Sequence, residues 1–240
     1  MANIYLHEFD KEFERRGVPV IRYADDIVLL CKSKRAAERL LESSARYLEG
    51  KLKLKVNRDK SRVTRVTARE NFKFLGFAFG RNKDEIRIRI HPKSLKKAKN
   101  KLRELTKRNQ GRKVRQVMEK QKLYIRGWLN YYGLADMKTT AQSLDQWLRR
   151  RYRMYIWKQW KKPKTRFKNL MKLGIPEYHA KLSAGTRKAY WTASNFPAVK
   201  RAITNERLER VGYFNITEAY ESVHKACILR TLAHTMPAIF

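Results

Sequence analysis

Two short apolar runs, residues 18–21 and 27–30, flank the tetrad Tyr23-Ala24-Asp25-Asp26. Each run is β-branched or leucine-rich and reads as a buried strand. The pair is therefore expected to form a hairpin with two adjacent carboxylates at its tip. Two like charges side by side each disfavour ionisation of the other, a cost that a divalent cation removes. Mg²⁺ suits the position because it takes hard oxygen ligands, keeps several waters and bridges to substrate phosphates. The alternative is an ordinary solvated turn, where aspartate is common. What surrounds the tetrad bears on that choice.

Ahead of it, residues 2–16 read as a helix: Tyr5, Phe9 and Phe13 fall at i, i+4 and i+8, and Gly17 stops the run. Behind it, Ser33 is a plausible N-cap for a helix over residues 34–49, with Ala37, Leu40, Leu41, Ala45 and Leu48 on its apolar face. Residues 52–56 alternate strictly and predict a one-face strand. Residues 72–79 are aromatic-rich and strand-like, residues 86–90 alternate again, and the polar stretch between them makes a second hairpin. The first 90 residues thus predict an α+β unit with a largely antiparallel sheet.

After Pro92 the pattern becomes helical. Residues 94–108 place Leu95, Ala98, Leu102 and Leu105 inward and a dense set of lysines and arginines outward. A second helix is expected over 113–132 and a third over 140–161, where Leu144, Leu148, Tyr152, Ile156 and Trp160 recur every four residues. Beyond residue 165 the periodicity supports helices over 167–173, 205–212 and 217–234, the first stopped by Gly174 and Pro176. The expected division is residues 1–91, 92–165 and 166–240.

Charge narrows the partners. Lys and Arg number 57 against 22 Asp and Glu, a formal net charge of +35. Residues 1–90 carry 22 basic and 13 acidic side chains, whereas residues 91–240 carry 35 and 9. Such an excess makes a polyanion the expected partner, and an aromatic content of 11% argues for a folded protein over a disordered basic tail. No apolar run approaches the ~18 residues that span a membrane, and no signal-peptide pattern opens the chain. Cys31 and Cys227, two isolated thiols, make neither a zinc site nor a disulfide framework, so a reducing compartment is expected.

Five blocks together resemble the group II intron-encoded reverse transcriptases, which are also maturases. They are Ala2-Asn3-Ile4-Tyr5-Leu6-His7-Glu8, Arg22-Tyr23-Ala24-Asp25-Asp26, Asn57-Arg58-Asp59-Lys60-Ser61, Phe74-Leu75-Gly76-Phe77 and Tyr124-Ile125-Arg126-Gly127-Trp128-Leu129-Asn130-Tyr131-Tyr132. The first four are similar to the polymerase palm and the fifth to the maturase-specific thumb, domain X. The resemblance implies a partial palm of antiparallel hairpins and helices, followed by an all-α basic thumb and its extension. It also implies that Asp25 and Asp26 are catalytic metal ligands for Mg²⁺ in a two-metal phosphoryl transfer. Tyr23 and Ala24 would then lie beside the primer end or nucleotide, and Phe74, Leu75, Gly76 and Phe77 would form the primer grip. Taken singly, the two phenylalanines equally fit an aromatic core strand with a bulge glycine.

In the family, fingers and another metal-binding Asp stand upstream of the hairpin, and only some twenty residues precede Asp25 here. The resemblance therefore implies the C-terminal part of such a protein, with an incomplete two-metal site that is not expected to polymerise alone, and a separate fingers/palm fragment as a further expected partner. An A-form duplex is held through phosphates and 2′-hydroxyls, for which Lys93, Lys96, Lys97, Lys99, Lys101, Arg103, Lys107 and Arg108 are suited. The alternative for that run is a solvated charged face. Arg149, Arg150 and Arg153, beside Arg151, form a second basic cluster, and Lys60 and Arg126 lie within the matching blocks. Trp128, Tyr131, Trp147, Tyr152, Trp157 and Trp160 read as core rather than as base-stacking platforms; Trp157, off the main stripe, is the best placed of them for exposure. His91 and His179 read as non-metal residues.

Two functions follow: a reverse transcriptase copying intron RNA from a template–primer duplex, and a maturase that clamps intron RNA for splicing without polymerising. A general basic RNA binder is the plainer third. A bacterial cytoplasm or an organelle is the expected location. No Cys/His cluster follows the domain X block, so the zinc-associated endonuclease of some relatives is not expected.

Overall fold

The computed structural model describes residues 2–68, 72–82 and 85–235. The chain divides into two compact units, Met1–Ile86 and Arg87–Phe240.

In the first unit, α1 (Ala2–Tyr5) and α2 (His7–Arg15) follow one another through a turn at Leu6. Phe9 and Phe13 are fully buried and stack with ring centroids 4.4 Å apart. Gly17, at φ +70°, turns the chain into β1 (Val20–Tyr23), which pairs antiparallel with β2 (Asp26–Leu29). Val18, Val20, Ile27 and Leu29 pack on the core of Leu6, Phe9, Phe13 and Leu52. Ile21 and Tyr23 point the other way and are exposed, at 47% and 63%. The strands are thus half-buried, where the apolar runs predict full burial, because only one face of this two-stranded sheet is packed.

Ser33 caps α3 (Lys34–Gly50) as expected: its side chain accepts a hydrogen bond from the Ala36 amide at 3.2 Å. The strand predicted over residues 52–56 does not form. The amides of Leu52 and Leu54 donate to the carbonyls of Tyr47 and Leu48, and Lys53 adopts φ +56°. The free carbonyls ending α3 capture this segment, and Leu52 is folded into the core. The aromatic stretch after it is shorter as a strand than predicted. Phe74 and Phe77 exchange backbone hydrogen bonds of 3.2 and 2.8 Å around Leu75 and Gly76, at φ +49° and +84°. Positive φ at both central residues is the signature of a tight hairpin turn. From there β3 (Phe77–Asn82) pairs with β4 (Glu85–Ile90), the second expected hairpin.

The second unit is helical after β4. α4 (Pro92–Leu105) starts at His91, whose Nδ1 accepts from the Lys93 amide, with Pro92 in the first turn. Then come α5 (Val114–Tyr132), α6 (Lys138–Gln159), α7 (Pro163–Lys172), α8 (Glu177–Ala184), α9 (Tyr190–Ala193), α10 (Pro197–Ala202), α11 (Asn205–Val211) and α12 (Ile216–Thr235). Helices α5, α9 and α12 pack around α6, so its buried residues, Ala141 through Trp157, lie on several faces. Trp157 is 1% exposed. Its place off the main stripe does not expose it, because a helix packed on several sides buries residues off that stripe. Helix α12 also packs on α5, close to Gly133, where a Cβ would fall 2.5 Å from Val223 Cγ1. The Tyr220 hydroxyl donates to the Ala135 carbonyl and accepts from the Met137 amide. No helix among the described residues is long and apolar enough to cross a membrane.

Candidate nucleic-acid interface

The β1–β2 register pairs Tyr23 with Asp26 and leaves Ala24 and Asp25 as a two-residue turn. Ala24 sits at φ +54°, a conformation that costs a non-glycine residue of order 1 kcal/mol or more. Arg22 holds this turn. Its guanidinium makes a fork-like pair with the Asp10 carboxylate, with Nε bonds of 2.9 Å, and donates to Asn3 Oδ1 and to the Ala24 carbonyl at 3.1 Å. The Asp10 carboxylate raises the Arg22 pKa through that hydrogen bond. The sequence offered Arg22 only as part of a block; its spacing from Asp10, across a helix and a turn, carries no visible signal.

Asp25 and Asp26 are both exposed, as is Tyr23. As hard oxygen donors they fit Mg²⁺ in kind. Among the described residues no group of three His, Cys, Asp or Glu side chains is placed to hold a metal ion. The two aspartates thus stand as a pair of neighbouring carboxylates on one turn. In the Phe74–Phe77 turn Gly76 is buried and Phe74, Leu75 and Phe77 are half-buried, so this block is a turn and not the bulged core strand. Lys60 is exposed at the end of another turn, where its amide donates to Asn57 Oδ1.

In the helical unit the predicted basic residues separate into two groups. Lys93, Lys96, Lys97, Lys101, Arg103, Lys107 and Arg108 are exposed on α4 and the turn after it, and Arg126 is exposed on α5. Among the described residues the ion pair on α4 joins Lys101 to Glu104 at 3.4 Å. Lys93, Lys97 and Lys101 recur at i, i+4 and i+8 with Lys96 alongside, so they form one stripe.

Arg149, Arg150 and Arg153 do not join that surface. Arg149 is paired with the buried Asp145 at 2.6 Å. Arg150 lies 4.0 Å from the Trp191 ring centroid and donates to the Trp191 carbonyl. Arg153 donates to the Ile203 carbonyl and Asn205 Oδ1 at 2.9 and 3.0 Å. The expected second RNA-binding cluster is thus corrected: these side chains are half-buried and tie α6 to the segments that follow it. Burial lowers the Arg153 pKa, with a further push from Arg149.

Paired carboxylates on a hairpin tip, and a helix whose outer face carries almost unneutralised positive charge, are features that suit a nucleic-acid-handling protein. The comparisons agree. The family described as reverse transcriptase (RNA-dependent DNA polymerase) matches residues 1–79. The maturase-specific domain of group II introns matches residues 95–174. A search of curated proteins finds no match. With the two matches covering about two thirds of the chain in that order, the chain belongs to the group II intron reverse transcriptase/maturases. Reverse transcriptases generally use Mg²⁺, and maturase and reverse transcriptase domains bind intron RNA and nucleic-acid substrates.

Proposed function

We propose that the helical unit holds structured intron RNA on the exposed α4 face, and that the hairpin unit presents Asp25 and Asp26 to Mg²⁺ for RNA-directed DNA synthesis. One observation carries the first half. Lys93, Lys96 and Lys97 are exposed along one helix, and none of them is ion-paired among the described residues. Phosphates neutralise such a stripe with release of counterions, and an A-form duplex presents phosphates and 2′-hydroxyls over a broad surface. Arg103, Lys107, Arg108, Arg126 and Lys60 extend the contact. Arg149, Arg150 and Arg153 have no part in it.

For the second half, Asp25 is the firmer ligand and Asp26 its neighbour, with Tyr23 beside the primer end or nucleotide. Bound Mg²⁺ would activate the primer hydroxyl and steady the leaving pyrophosphate. The Phe74–Phe77 turn, kept tight by Gly76, serves as the primer grip. Arg22 is a positioning residue, fixing the turn that carries Asp25 and Ala24 through its bond to the Ala24 carbonyl.

Primer extension on an RNA template in Mg²⁺, with a fingers/palm fragment of the family supplied beside the chain, tests this half. Asp25→Asn keeps the size of the side chain and removes its charge. Extension is expected to fall at least ~100-fold, the scale of losing a group that stabilises transition-state charge. Equal extension by both proteins would contradict the assignment of Asp25.

A further inference from the structure

The turn after α4 and the later half of α6 border a cleft of about 330 Å³, lined by Lys107, Arg108, Asn109, Arg151 and Met154. That is near the lower end of small-molecule pockets, and the cleft is a shallow one, open to solvent. Three of the five side chains are cations, and none of them is ion-paired among the described residues. Arg151 is held firmly. Its Nε donates to Thr106 Oγ1, Nη2 donates to the Arg103 and Thr106 carbonyls at 3.2 Å, and the Trp147 ring lies 5.1 Å away. These partners fix the guanidinium without neutralising it, and burial together with nearby Arg103 penalises its charge. Arg108 is likewise steadied, 4.8 Å from the Tyr190 ring centroid; Lys158 and Arg166 approach the same ring at 5.0 and 5.6 Å. Positive charge thus converges on this corner and calls for an anion.

The remaining two lining groups differ in kind. Met154 is 6% exposed and gives the cleft an apolar wall, and a thioether contacts aromatic rings favourably. Asn109 is exposed and offers a donor and an acceptor on one amide edge. Phosphate, aromatic ring and hydrogen-bonding edge are the three parts of one nucleotide.

We propose that this cleft receives a single unpaired nucleotide of an RNA strand. Its phosphate lies on Lys107, Arg108 and Arg151, its base against Met154, and the base edge meets Asn109. The proposal rests on the RNA-holding role of this unit but differs from the α4 face in what it selects. A continuous duplex lies along a face, whereas a base enters a cleft only after leaving its stack, which is cheapest where it is already unpaired.

The test compares two RNA hairpins, identical except for one bulged nucleotide, binding to the full chain and to Asn109→Ala and Arg108→Ala. The full chain is expected to bind the bulged hairpin about 10-fold more tightly, near the upper end for one contact between a thioether and an aromatic ring. Asn109→Ala, which changes no charge, should erase most of that preference while leaving the continuous hairpin's affinity in place. Arg108→Ala should weaken the bulged hairpin more than the continuous one. Millimolar AMP should compete away the bulge preference alone.

Equal affinity for the two hairpins, or variants that weaken both equally, would overturn the pocket and leave the α4 face standing. Failure to bind either hairpin would overturn the RNA-holding role itself. AMP bound as tightly as the bulged hairpin would reassign the cleft to a free nucleotide, against the proposal.

Discussion

Asp145→Ala is expected to destabilise the helical unit by about 3–5 kcal/mol, the cost of breaking a buried ion pair by removing one partner. Asp145 is 3% exposed, and its side chain holds three neighbours. It pairs with Arg149 at 2.6 Å. It also accepts from the Tyr213 hydroxyl at 2.7 Å and from the Ile216 amide, at the start of α12, at 3.1 Å. Without it the half-buried Arg149 guanidinium loses its nearest carboxylate, with Glu209 at 3.9 Å a distant substitute. Tyr213 loses its shorter hydrogen bond and keeps only the Asp145 main-chain carbonyl at 3.2 Å, and its pKa, held well above the ordinary tyrosine value by burial and by Asp145, moves back toward it. Chemical denaturation followed by far-UV circular dichroism checks the loss; a shift under 1 kcal/mol would mean that the Asp145 network contributes little. Most domains have about 5–15 kcal/mol in hand, so the unit would be left marginal.

Lys93→Ala/Lys96→Ala/Lys97→Ala is expected to cost far more binding than folding. All three side chains are exposed on a helix, where alanine is at least as favourable as lysine. If each neutralises one phosphate, the slope of log Kobs against log salt should shrink by about 2–3, and affinity near 150 mM salt should fall roughly 50- to 150-fold. Filter binding of a structured RNA across a salt series measures both quantities. An unchanged slope would show that the stripe is only a solvated face.

Much of this molecule was legible in the order of its residues, and the exceptions share a physical cause. Ser33 at the start of α3, Pro92 at the start of α4 and the two hairpins act locally, through caps, turns and alternation that neighbouring residues determine. Residues 52–56 alternate as a strand should, yet the carbonyls ending α3 claimed their amides first. Helices α8 and α10 are too short to show a sustained apolar period. A proline that ends one helix also opens the next: Pro176 is the N-cap of α8, and Pro197 stands in the first turn of α10.

At the site the split runs along the same line. Asp25, Asp26 and the α4 lysines could be named because their chemistry depends on adjacency or helical spacing. The Arg149, Arg150 and Arg153 cluster could not be placed correctly, since a run of arginines looks the same facing solvent or facing an interior built from segments 40 to 70 residues away. The role of Arg22 has no local signal for the same reason. Its partner Asp10 lies twelve positions earlier, and only the folded hairpin brings them together.

The central claim is that this chain recognises intron RNA and is more than a general basic binder. The most direct measurement is competition between a folded group II intron RNA and an unrelated RNA of equal length, at ~150 mM salt where nonspecific contacts weaken. A preference of at least ~10-fold for the intron is predicted, well below the ~10³-fold or more that dedicated nucleic-acid readers reach. Equal competition by the two RNAs would contradict it.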